Sequence, residues 1–176
     1  METLIEEIRA ELARASVDKK HPWHYPTLAT LQNGVPEQRT LVLRVYHSKE
    51  EELILFTDFR SPKVAQIQAS PTVSIHFYNP RKQWQVRVIA EAEIHNQNAF
   101  SQSFLSKIPP NARVDYRTFL KPGADKTAKG PLASAEENFT ALVLKIKTID
   151  SLELSRDGHR RFAIDLEANQ IKEIQA

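Results

Sequence analysis

The chain contains no cysteine. Disulfides, thiolate metal sites and thiol nucleophiles are therefore excluded, and the composition suits a reducing compartment. Glycine is scarce as well. Its four residues, Gly34, Gly123, Gly130 and Gly158, form no Gly-rich nucleotide loop, so Rossmann and P-loop readings fail. There is no HExxH, no GxSxG elbow and no His/Asp ligand spacing; the six histidines are scattered, and no metal site is expected. No apolar run reaches the ~18 residues of a membrane helix. The acidic, amphipathic N-terminus is unlike a signal peptide, so a cytoplasmic protein without a membrane partner is expected. A net charge of +2 gives no reason to expect a nucleic-acid partner.

What is present is ordinary globular material, 41% hydrophobic and 26% charged over 176 residues. That length suits a single domain, 1–176, with a real core. Leu4, Ile5, Ile8 and Leu12 recur at helical spacing and predict a helix over 3–15. A proline-marked loop follows, then a strand over 27–32, an Asn33-Gly34 hairpin turn and a strand over 38–47. Further strands are predicted over 53–57, 72–78, 83–94, 139–147, 152–154, 161–166 and 171–174. Short helices are predicted after Ser61-Pro62 and over 96–107, with Phe100, Phe104 and Leu105 facing inward. Residues 111–137 read as a long loop with one helical turn near Tyr116–Leu120. Many antiparallel strands with few helices make a mainly β protein with peripheral helices, closed as a barrel rather than laid out as a parallel sheet.

The chemistry-bearing residues concentrate between Arg39 and Glu93. Ser61 suits an N-cap and Pro62 the first helical position. Lys63 in the first turn opposes the helix dipole, a poor structural choice that a bound anion would reverse. An ordinary Ser-Pro cap with a solvent lysine is the other reading. Arg39 is either a solvated strand end or part of that pocket. Arg44 lies between Leu43 and Val45 in an apolar strand, so it needs either a core partner or a ligand. Gln85 and Arg87 share one face of their strand, opposite Trp84, Val86 and Val88; that polar row lines a cleft or an interface, or faces solvent. His159-Arg160-Arg161-Phe162 forms a basic turn before a strand.

In their order, Arg39, Phe56-Thr57-Asp58, Ser61-Pro62-Lys63, Gln85-Val86-Arg87-Val88 and His159-Arg160-Arg161-Phe162 resemble the pyridoxamine 5'-phosphate oxidase family. The resemblance implies an antiparallel FMN-binding split β-barrel and a homodimer with cofactor sites at its interface. It places Arg39, Thr57, Ser61 and Lys63 on the flavin phosphate and Leu41, Val42 and Leu43 along the ring, with Phe56 at the family's tyrosine. Gln85 and Arg161 would reach the flavin from the second subunit, and Arg44 and His159 would face the substrate. The family's Ser-Arg-Lys becomes Ser-Pro-Lys, losing one phosphate arginine. An arginine that touches the substrate becomes Asp157, and the tryptophan preceding that segment has no counterpart. These departures imply an FMN-dependent oxidoreductase of unknown small-molecule substrate that is not an efficient pyridoxamine phosphate oxidase. No catalytic side chain is named. A flavin-binding sensor or carrier without turnover, and a barrel without cofactor, are the alternatives.

Overall fold

The computed structural model describes residues 2–125, 127 and 130–176. Helix α1, Glu2–Val17, lays Ile8, Leu12 and Ala15 on the barrel with Leu4 and Ile5 beside them, as the helical spacing predicts. Strands β1, Thr27–Gln32, and β2, Val35–Thr40, pair antiparallel. The turn between them places Asn33 at φ 52° and Gly34 at φ 80°, a left-handed pair that only this kind of sequence tolerates cheaply.

The strand predicted over 38–47 is two strands. β2 stops at Thr40, and β3, Leu43–His47, begins after Leu41 and Val42. The reason is a change of partner. Up to Thr40 the segment pairs with β1, and Leu41 N–H still reaches Pro26 O at 3.0 Å; from Leu43 it pairs with β4, Glu52–Asp58. The opposite departure occurs later. The predicted strands 139–147 and 152–154 are one strand, β7, Phe139–Glu153. Its alternation looks broken because a register shift around Lys147 separates buried Ile146 from buried Ile149.

β5, Thr72–Asn79, and β6, Trp84–Asn96, complete the order β2-β1-β5-β6-β7-β4-β3. Because β2 and β3 are consecutive halves of one bent segment, the order closes into a barrel. β7 holds β4 along its first half and β8, Arg160–Asp165, along its second, with β9, Gln170–Ile174, outside β8. The sheet therefore splits at β7.

The inner core gathers Leu28, Leu43, Leu53, Leu55, Phe77, Val88 and Leu144, with fully buried Trp23 among them. A second cluster, Ile54, Phe139, Ala141 and Val143, lies on the other side of β4 and β7. Helices α3, Ala99–Leu105, and α5, Ala135–Asn138, contribute Leu105 and Ala135 to it. Covered on both sides, β4 and the first half of β7 carry continuous apolar runs rather than alternation. Helix α2, Pro62–Ala69, packs on β1.

The predicted loop 111–137 is better structured than expected. It holds a 3-10 turn, Pro110–Arg113, and helix α4, Val114–Arg117. Its legs are tied by Ala133 N–H to Arg117 O at 2.8 Å, and Asn138 Nδ2 donates to Tyr116 O at 2.7 Å. Gly130 lies so close to the Phe119 ring that a Cβ would clash at 2.4 Å. Lys126, Ala128 and Lys129 fall outside the described residues. Among the described residues no helix is long and apolar enough to cross a membrane.

Candidate functional site

The start of α2 faces the β1–β2 hairpin, and four of the expected residues gather there. Thr57, near the end of β4, and Ser61 are both buried. Ser61 occupies the N-cap position at φ −68° and ψ 139°, yet its hydroxyl makes no cap bond. The capping role expected of that side chain is thus not realised. The Lys63 ammonium claims the Ser61 hydroxyl instead and also donates to Thr57 Oγ1 at 3.0 Å. The helix is started by backbone, with Val64 N–H on Ser61 O at 2.9 Å.

Arg39 reaches the cluster from β2. It donates to Thr30 Oγ1, to Gln66 Oε1 at 3.0 Å and to Glu37 Oε2 at 3.2 Å. Burial holds the Lys63 ammonium below its usual range, and the charge of Arg39 pushes it further down; Asp58 partly opposes this. Asp58 itself is engaged by Arg60, whose Nη2 donates to it at 2.6 Å and whose Nη1 donates to Thr118 O at 3.0 Å. Two neighbouring cations therefore converge with two hydroxyls, and among the described residues no carboxylate pairs with Lys63. That donor set suits an anion with several acceptor oxygens.

The other expected residues lie apart from this cluster. Phe56 points to the opposite face of β4, where its ring lies 5.4 Å from that of Phe104 and 5.0 Å from that of Phe139. Arg44 is exposed: it lies on the face opposite buried Leu43 and is the extra residue of the register shift between Leu43 and Val45. Its guanidinium rests 5.6 Å from the centroid of Phe56. Leu41 and Val42 are half-buried at the break between β2 and β3, and Leu43 is in the core.

Gln85 and Arg161 are aligned through Leu152 across β6, β7 and β8. They point outward, whereas Arg39 shares the inward face of Leu28. Arg161 and Arg87 each place an Nη2 at 2.8 Å from Asp150 Oδ2. Burial pushes the Asp150 carboxyl up, but the bonds from both arginines outweigh it and hold it below its usual range. Beside this group runs a groove of about 580 Å³ lined by Ser74, Ile89, Asp150, Ala163 and Lys172. His159 is exposed in the β7–β8 turn, accepting from Ser155 N–H at 3.3 Å.

Gln66 and Thr30, as partners of Arg39, and Asp150, as the partner of Arg87 and Arg161, carry no local motif, and Asp58 stood in one without its Arg60 partner. Gln66 left a trace, since it follows Lys63 by three residues and so shares its side of α2.

Residues 4–96 match the family model for the pyridoxamine 5'-phosphate oxidase, FMN-binding domain. The pyridoxine/pyridoxamine 5'-phosphate oxidase of Teredinibacter turnerae is 39% identical over 67 residues, 38% of this chain and 31% of that protein. The match thus spans less than a third of that relative's length. Among solved structures, a pyridoxamine 5'-phosphate oxidase-related, FMN-binding protein from Nostoc punctiforme has a TM-score of 0.78 at 26% identity, covering 97% of this chain and 96% of that one. PhzG from Burkholderia lata, solved with tetrahydrophenazine-1-carboxylic acid, shares the fold with a TM-score of 0.75 at 16% identity, over 98% of this chain and 92% of its own.

Proposed function

The chain belongs to the family of the pyridoxamine 5'-phosphate oxidase FMN-binding domain, and from that premise we propose that it binds FMN as a homodimer and works as an FMN-dependent oxidoreductase. The observation that carries this reading is the pairing of Arg39 with Lys63 beside the Thr57 and Ser61 hydroxyls at the start of α2. Two like charges held together in a partly buried site favour a bound anion, and the positive end of α2 adds to the attraction. In this reading these four side chains hold the flavin phosphate, and the Leu41-Val42-Leu43 backbone borders the ring. When bound, the flavin supplies the electron-transfer chemistry, while the protein supplies position and electrostatics.

Gln85 and Arg161 face away from Arg39 within one chain. They complete the site from a second copy, across the outer face that carries exposed Tyr78 and Ile89. Arg44 and His159 are the proposed substrate-facing groups. Asp157 stands in the same exposed turn as His159, where the family's substrate arginine is expected. At an effective dielectric of ~20, a like charge ~6 Å from a substrate phosphate costs on the order of 2–3 kcal/mol. The reading is therefore an oxidoreductase for a substrate other than pyridoxamine 5'-phosphate.

The test is the absorption spectrum and released-ligand mass of the purified protein, with light scattering on the same sample. FMN and a mass near twice the 20.1 kDa chain are expected. A preparation that stays colourless after soaking with FMN sinks the flavin reading. A monomeric FMN complex sinks the composite site, and bound flavin that no amine, nicotinamide or quinone reduces or reoxidises makes the protein a carrier.

A further inference from the structure

We infer that Gln66 is the positioning residue that sets the Arg39 guanidinium for the flavin phosphate, and through it the preference for a phosphorylated flavin. This rests on the flavin reading above. Gln66 is only 3% exposed. A carboxamide offers two acceptor sites and two N–H donors, and here all four are used. Its Oε1 accepts from Thr30 Oγ1 at 2.5 Å and from Arg39 Nη2 at 3.0 Å. Its Nε2 donates to Gln32 Oε1 at 3.0 Å and to Glu37 Oε2 at 2.8 Å.

The orientation of the amide is fixed by its neighbours. Turned over, it would face N–H against the Arg39 N–H and its oxygen against the Glu37 carboxylate. A glutamate of the same shape would lose both donors and bring a second carboxylate beside Glu37. An apolar residue would leave buried groups unpaired.

The geometry gives this amide a task beyond holding the hairpin. Lys63 and Gln66 sit one turn apart on α2, whereas Arg39 arrives from β2. A single helix thus carries one cation of the site and the group that fixes the other. Without Gln66, Arg39 keeps Thr30 and Glu37 as partners. Glu37 is the more exposed of that ion pair, its side chain 48% accessible, so it draws the guanidinium outward along the hairpin. Lys63 repels the same guanidinium. The phosphate site then loses one of its two cations.

Flavin binding to Gln66→Leu protein, measured separately with FMN and with riboflavin, tests this. FMN should weaken about tenfold, while riboflavin changes less than about twofold. In an Arg39→Ala background the same change should cost FMN nothing further, because the residue it positions is gone. Equal losses for both flavins, or full additivity with Arg39→Ala, would reduce Gln66 to a structural part and overturn the inference. Gln66→Met, which keeps side-chain length, replaces the leucine variant if that fails to fold.

An NMR titration of Lys63 in flavin-free protein gives a second measurement that needs no ligand. Removing Gln66 should move the Lys63 titration upward as Arg39 withdraws, and an unmoved titration refutes the inference by itself. Wild-type protein that binds FMN and riboflavin equally would instead refute the phosphate assignment, leaving the Lys63 titration to judge Gln66.

Discussion

Replacing Lys63 with methionine removes one charge from the start of α2 and keeps an unbranched side chain. Among the described residues the ammonium bonds to the Thr57 and Ser61 hydroxyls, and it is held low by burial and by Arg39. Losing it costs those bonds but relieves a buried like-charge contact, so stability should stay within about 1 kcal/mol of wild type. With FMN bound, the same substitution removes a charge-assisted bond of about 1.5–3 kcal/mol, which is about 10- to 150-fold in Kd.

The pH dependence has a definite sign. Burial and Arg39 depress the free-state pKa of Lys63 below 10.5, and an anion raises it. FMN binding therefore takes up a proton once the pH passes the depressed free-state value. From neutral pH up to that value the ratio of FMN to riboflavin affinity should be constant, and it should fall as pH rises through it, since the ring ionisation is common to both flavins. In folding, the unfolded chain binds more protons between the depressed pKa and 10.5, so flavin-free stability should rise with pH across that window. Calorimetry with FMN and riboflavin on both proteins across the alkaline range measures this. Loss of affinity for both flavins alike, or an FMN affinity in Lys63→Met equal to wild type, refutes the reasoning.

Glu11 is 3% exposed and takes Lys82 and His21 at 2.7 Å each, together with Arg14, tying α1 to the barrel. Burial pushes its carboxyl up, but these bonds outweigh burial and leave it below 4.5, so its contribution is present above 4.5 and is lost as pH falls through the depressed value. Denaturant melts of Glu11→Gln should lose about 1–3 kcal/mol at neutral pH and show a flatter acid limb; an unchanged limb counts against this account. Asp58→Ala frees Arg60 from its carboxylate and loosens the latch onto Thr118 O and Phe119 O. Hydrogen exchange should speed up across 114–122 with a stability loss of about 1–3 kcal/mol, and unchanged protection there would show that the latch does not hold the loop.

The sequence by itself determined the elements whose signals are local. The Asn33-Gly34 turn, the Ser-Pro start of α2 and the apolar face of α1 depend on backbone preference and on spacing within a few residues. The family motifs likewise placed Arg39, Thr57, Ser61 and Lys63 in one expected site. Only the tertiary structure decided where strands change partner. The break at Leu41-Val42 and the continuity of β7 depend on β1, β4 and β8, which lie far away in the chain. It alone decided which residues face the inner core past a bulge, because one shifted residue in a strand reverses every side chain after it; so past Arg44 it is Tyr46 rather than Val45 that joins the inner core. It also supplied the long-range partners, Gln66 for Arg39 and Asp150 for Arg161, since hydrogen-bond complementarity exists only once helix and strands have packed together.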